Sequence, residues 1–244
     1  MKNMKHIRII GLALVAVFAL CAFAATSALA MPSATFSVAG KKLETGEAKE
    51  IKATDSEEFT LKGKGALEAE AVTKCKKLKL DAADKPEIVG GTPGTSKNES
   101  IEFEECTGVI KSLFGEAKCT SVEITSPETN NELVLVVAPA ELKEKLATLF
   151  TPASGKVFSK IKLNKCGALG NQTAEVEGTT AALVPSEAEA LEGKLVWSEK
   201  SIITEIEKTN GTKEKVGLTS DKKTATLNGA ASVSLVSGQD WSAL

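Results

Sequence analysis

Apolar side chains at alternate positions recur along the chain from Thr35 onward: Phe36/Val38, Phe59/Leu61, Ile101/Phe103, Val122/Ile124, Leu133/Leu135/Val137 and Ile161/Leu163. A period of two places alternate side chains on opposite faces of an extended strand, one face buried and one wet. The wet positions are Lys, Glu and Thr, as in Lys74-Cys75-Lys76-Lys77-Leu78-Lys79-Leu80, and charge on strands discourages edge-to-edge pairing. Turn residues punctuate these runs at Gly63-Lys64-Gly65, Gly90-Gly91-Thr92-Pro93-Gly94, Ser126-Pro127 and Asn228-Gly229. Many short strands without βαβ alternation predict an all-β fold, an antiparallel sandwich or barrel.

One segment departs from this rhythm. Pro139 is followed by Leu142, Leu146, Leu149 and Phe150 at helical spacing, which predicts a short amphipathic helix over 139–150 covering an end or face of the sheet structure. A weaker helical pattern runs from Pro185 to Leu191. Near the C-terminus, Asn210-Gly211 predicts a hairpin over Ile202–Leu218 through a type I′ turn, and Asn228-Gly229 predicts a second between Thr224–Leu227 and Ser232–Val236.

The first thirty residues read differently. A basic opening with Lys2, Lys5 and Arg8 precedes an uncharged run from Ile9 to Ala30, which closes on Ala28-Leu29-Ala30. That is the order of a signal peptide, with small residues where a signal peptidase reads and a scissile bond at Ala30-Met31. A retained membrane anchor is the alternative, since about twenty apolar residues span a bilayer. Cys21 would suit a lipoprotein, but Leu20 stands where a small residue is expected. Residues 31–244 are expected to form one secreted β domain, with a division near Pro185 as the alternative and no further membrane span.

Export would remove Lys2, Lys5 and Arg8 and no acid, taking a formal net charge of −2 to −5. Nucleic-acid affinity rests on basic side chains that neutralise phosphates, with arginine the usual specific reader, so an acidic chain without arginine after cleavage is a poor partner for nucleic acid. His6 and Arg8 are the only residues of their types and there is no Tyr. Ser-His-Asp and Cys-His catalysis and histidine-containing zinc sites therefore lack their residues, and no cofactor or metal is expected.

Four cysteines follow the leader, Cys75, Cys106, Cys119 and Cys166, at spacings of 31, 13 and 47. An even number in an exported chain reads as two disulfides. Folding Ile101–Cys106 back on Ala71–Leu80 sets Cys75 against Cys106 and centres the connection on Gly90-Gly91, which favours Cys75–Cys106 and Cys119–Cys166. A local Cys106–Cys119 closure is the other pairing in view.

The sequence around these cysteines, Glu105-Cys106-Thr107, Cys119-Thr120-Ser121 and Lys165-Cys166-Gly167, resembles a large group of uncharacterised secreted β proteins of high-GC Gram-positive bacteria. The resemblance covers about residues 60–185 and implies export and an all-β fold, with no activity and no functional residue to carry over.

Among groups that could carry chemistry, Glu102-Phe103-Glu104-Glu105 is the densest carboxylate cluster. Glu102 and Glu104 share a strand face and could stand in for the paired carboxyls of a glycosidase, although a solvated strand face explains them as well. Trp197 reads as core and Trp241 as a plug that docks the tail. Asp81–Asp84 and Asn130–Glu132 are calcium-loop candidates without the usual Asx-Gly spacing. Lysine-rich strands could meet anionic cell-wall polymers, but glutamates interleave with them. Asn98, Asn171 and Asn210 begin glycan-acceptor triplets, relevant only in a eukaryotic secretory pathway. The residues therefore point to a secreted or envelope-associated β protein that acts by binding or as a structural component. Two alternatives follow: a barrel carrier of a small apolar ligand with Leu142–Phe150 as its lid, and a carboxylate-dependent hydrolase.

Overall fold

The computed structural model describes residues 34–64, 69–80, 85–98, 101–113, 115–186 and 188–244. Residues Ser33–Leu244 form one compact unit. Its strands begin with β1 (Phe36–Val38), β2 (Lys41–Lys42), β3 (Ala48–Lys64), β4 (Glu70–Leu80), β5 (Glu87–Val89) and β6 (Thr95–Asn98). β7 (Ile101–Ser112), β8 (Gly115–Cys119), β9 (Ser121–Thr125), β10 (Thr129–Ala138), β11 (Leu146–Pro152), β12 (Val157–Asn164) and β13 (Gln172–Leu183) follow. The chain ends with β14 (Glu192–Trp197), β15 (Glu205–Glu207), β16 (Lys213–Lys215), β17 (Gly217–Ser220), β18 (Lys223–Leu235) and β19 (Trp241–Ala243).

Every pairing is antiparallel, and the main sheet closes on itself twice. One ring runs β3-β4-β7-β9-β12-β13-β17-β18 and back to β3. The other runs β3-β5-β6-β10-β11-β13-β14-β18 and back to β3. The long strands β3, β13 and β18 belong to both: the first half of β3 meets β5 in ring two, and its second half meets β4 in ring one. The sequence expectation of sandwich or barrel thus resolves into two fused barrels.

The alternation works as the period-two pattern requires. On β12, Ile161 and Leu163 are buried while Lys160 and Lys162 are exposed. These lysines meet Glu175 at 3.0 Å and Glu123 at 3.7 Å, residues directly across from them on β13 and β9. Exposed pairs of this kind contribute about 0.2–1 kcal/mol each, so burial of the inner face is what closes the wall.

Ring one is filled by aromatic and branched side chains. Phe59 meets Phe103 and Trp197, each at 5.8 Å between centroids, and Trp197 meets Phe150 at 5.3 Å. Ring two is closed by the three-stranded sheet β19-β1-β2. Trp241, 2% exposed, is the plug the sequence suggested, donating its indole N–H to the Val233 carbonyl at 3.1 Å. Gly193 leaves the room: a Cβ there would lie 2.7 Å from Trp241 Cζ2.

The helix expected over 139–150 is not formed. Only Ala140–Leu142 make a 3-10 turn, and Leu146–Pro152 is β11, a strand between β10 and β13. Leu146 and Phe150 face the ring interiors, while Ala147 and Leu149 pack outward with Val134, Val136, Ile206 and Val216 beneath the β15–β16 hairpin. Burial on both faces produces apolar positions at i, i+3 and i+4 without a helix. Pro185–Leu191 is likewise not helical among its described residues: Ala190 bridges Trp241. Pro185 lies between β13 and β14, neighbours in ring two.

The Asn210-Gly211 hairpin is present, with Glu205 facing Lys215, but its loop is wider than two residues. Gly211 alone takes a positive φ (81°), and its N–H donates to the Lys208 carbonyl at 2.8 Å. The second hairpin is not formed. β18 continues through Asn228-Gly229 with a bulge against β3, where Gly229 (φ 142°) admits Phe59; a Cβ would lie 2.6 Å from that ring. The reversal comes earlier, at Asp221-Lys222, whose φ values of 53° and 62° are those of a type I′ turn.

Candidate functional site

The carboxylate cluster at Glu102–Glu105 lies in β7, where the wall of ring one parts. β8 and β9 form one bent course beside β7 in a single register, with Ser112 facing Gly115, Gly108 facing Cys119 and Glu102 facing Thr125. Between the last two positions the ladder is interrupted, over Phe103–Thr107 on one lip and Thr120–Ile124 on the other. Two local features accompany the parting. Glu105 takes a left-handed φ of 51°, and Thr120 turns its N–H to the Asn164 carbonyl at 2.9 Å, away from β7.

Both disulfides stand beside this parting. Cys106, on the first lip, is bonded to Cys75 of β4, and Cys119, just ahead of the second lip, is bonded to Cys166 beyond β12. Each lip is thereby tied to the neighbour on its far side. Cys75 and Cys106 face one another across the β4–β7 ladder, the arrangement set out from Ala71–Leu80, and the chain between them turns through Gly90–Gly94 as the β5–β6 hairpin.

The parting forms a groove of about 520 Å³. Its apolar lining comes from Ile101, Phe103, Val122 and Ile124, and its acidic lining from Glu102, Glu104, Glu105 and Glu123. Glu105 pairs with Lys77, whose hydrogen bond and charge hold the Glu105 carboxyl below the ordinary glutamate value. Glu123 lies 3.7 Å from Lys162. Ser126 also lines the groove; it is 5% exposed and its Oγ has no hydrogen-bond partner.

A glycosidase keeps its general acid protonated by burial in apolar surroundings. Glu102 is exposed and Glu104 half-buried, so the pair lacks that enclosure. Among the described residues no cluster of three or more acids, cysteines or histidines is placed to hold a metal ion. Asn130–Glu132 is not a loop but part of β10, with Asn131 buried and Glu132 bound to Lys208 at 3.1 Å. Asp81–Asp84 lies outside the described residues.

No family model, curated protein or solved structure matches the chain.

The interior offers a carrier little space. An apolar cavity of about 40 Å³ lies where the rings meet, lined by residues that include Leu78, Ile101, Phe150, Trp197, Val233 and Trp241. Small-molecule sites measure roughly 300 Å³ or more, and the segment expected to serve as a lid is the wall strand β11. Trp197 is core, 6% exposed, its indole N–H unpaired. Of the three glycan triplets, Asn171 accepts the Lys165 N–H at 2.8 Å and Asn210 the Thr212 N–H at 2.9 Å, both exposed, while Asn98's triplet runs outside the described residues.

Sequence reasoning singled out the acids but not the groove. The residues opposite them read in sequence only as an alternating strand at Val122/Ile124 and a turn at Ser126-Pro127, and Glu105 is not a residue type that announces a left-handed backbone.

Proposed function

We propose that the chain is an exported, secreted or envelope-associated β protein that acts by binding through the outer wall of ring one, and not by catalysis. The observation that carries this reading is the use of its cysteines. All four that follow the leader are joined in disulfides that flank the groove, and such bonds persist in oxidising compartments. The basic and apolar leader ending at Ala30-Met31 supports the same address, as does the resemblance to secreted β proteins of high-GC Gram-positive bacteria. The interior cavity of about 40 Å³ leaves the exterior to do the work, and the groove between β7 and β9 is a concavity of about 520 Å³ on it.

N-terminal sequencing of protein recovered from culture medium or envelope fractions tests the address: the expected sequence begins at Met31. Protein confined to the cytosol and beginning at Met1 would overturn the proposal.

A further inference from the structure

Resting on the binding role just proposed, we infer that the groove between β7 and β9 takes an extended peptide segment bearing a lysine or arginine side chain. Charge is the first argument. Elsewhere on the wall, lysines and glutamates face each other across strands, as Lys160 faces Glu175 and Lys74 meets Glu58 at 2.7 Å. The groove's own lining holds four glutamates and no lysine, the lysines across from them, Lys77, Lys79 and Lys162, standing on β4 and β12 behind its lips. Anionic polymers are repelled from such a surface, and a cation is drawn to it.

Shape and polarity narrow the cation. A small inorganic ion has no use for Ile101, Phe103, Val122 and Ile124, whereas the stem of a lysine or arginine lies well on apolar surface with its charged end among carboxylates. Glu105 and Glu123 already have lysine neighbours outside the groove, Lys77 and Lys162, so an incoming ammonium or guanidinium joins a shared network and does not need a bare carboxylate. The Ser126 hydroxyl, buried and unpaired, is a polar group whose desolvation a bound partner would offset.

The interrupted ladder supplies the argument for a peptide. Phe103–Thr107 and Thr120–Ile124 hold to the register of β7 with β8 and β9, yet the cross-strand pairs of that stretch are not made. Backbone at an open strand margin is what extended peptides recognise, with side-chain pockets giving the preference. Here the pocket chemistry selects a basic residue.

The test uses oxidised protein from residue 31 to 244 and two fluorescein-labelled peptides, Ala-Lys-Ala-Lys-Ala and Ala-Glu-Ala-Glu-Ala, followed by fluorescence anisotropy at low salt. The basic peptide is expected to bind saturably, at least tenfold more tightly than the acidic one. Glu102→Gln/Glu104→Gln/Glu123→Gln is expected to weaken it at least tenfold. A matched removal of three charges outside the groove, Glu175→Gln/Glu192→Gln/Glu199→Gln, is expected to change it less than threefold. Absence of saturable binding, or equal losses in the two triple variants, would overturn the assignment. Localisation reports on the export reading separately, because a secreted protein that ignores basic peptides loses only this inference.

Discussion

The two rings share three strands but are stabilised by different means. Ring one contains both disulfides, the Phe59–Phe103 contact and a parted wall. Ring two contains no cysteine and is shut by a plug, β1 and β19 brought together from distant parts of the sequence, with Trp241 inside. Ring two, whose β13–β14 seam rests on the single pair Leu183–Val196, is held by its filled mouth without covalent help. A wall that opens for some five residues loses hydrogen bonds there, and the cross-links sit where that loss falls. The comparison teaches that the disulfides mark the groove and are not spread over the fold for general stability.

The largest effect that would break this comparison is reduction. The bonds close sequence separations of 31 and 47 residues, and loop-closure arguments give about 3–4 kcal/mol for each. Urea denaturation with and without reductant should show the combined loss. Hydrogen exchange should place the first loosening in β7–β9, ahead of β10 and β11, and uniform loosening of both rings would break the contrast. Next, Trp241→Ala removes a plug that is 2% exposed, at an expected cost of about 3–5 kcal/mol. In the same denaturation assay it should leave both disulfides formed, sharpening the distinction between a packed closure and a cross-linked one.

The smallest effect concerns Lys208, which joins the β15–β16 hairpin to β10 through Glu132 at 3.1 Å and Glu214 at 3.0 Å. Partial burial pulls its pKa down, but the hydrogen bonds it donates to Glu214 and Glu132, with their charge, outweigh burial and hold it above the ordinary lysine value. A raised folded-state pKa contributes stability that is fully present below the unfolded value of about 10.4 and is lost as pH rises through the folded value. Wild-type protein should therefore lose a little more stability than Lys208→Met between about pH 10 and 12. The difference should stay under about 1 kcal/mol because all three side chains remain partly open to solvent. Matching pH profiles for the two proteins would remove Lys208 as a link between hairpin and ring.

Much of the wall was legible because alternation is a local property. Ile161 and Leu163 go inward and Lys160 and Lys162 outward in the fold as in the pattern. The register that joins Cys75 to Cys106 was legible too, because a turn-rich centre and two alternating flanks constrain one another. β11 was misread because its outer face is covered by a hairpin some sixty residues later, and covering is a tertiary fact. Asn228-Gly229 was misread because a glycine that admits Phe59 and a glycine that makes a turn look alike in sequence. Asp221-Lys222 turns the chain without the usual Asn or Gly, and the groove depends on Glu105 adopting a backbone its side chain does not favour. The acidic half of the site could be seen in advance, but its opening could not.

β1 has β19 as its partner, with Phe36 against Ala243 and the Thr35 N–H bound to the Leu244 carbonyl at 3.0 Å. One edge of β1 must therefore wait for β19, a strand far along the sequence, like a clasp whose two halves are threaded separately. Contacts of such long sequence separation are slow to form. Without Trp241–Ala243 the other strands would keep their partners, but the second mouth would have nothing to latch it.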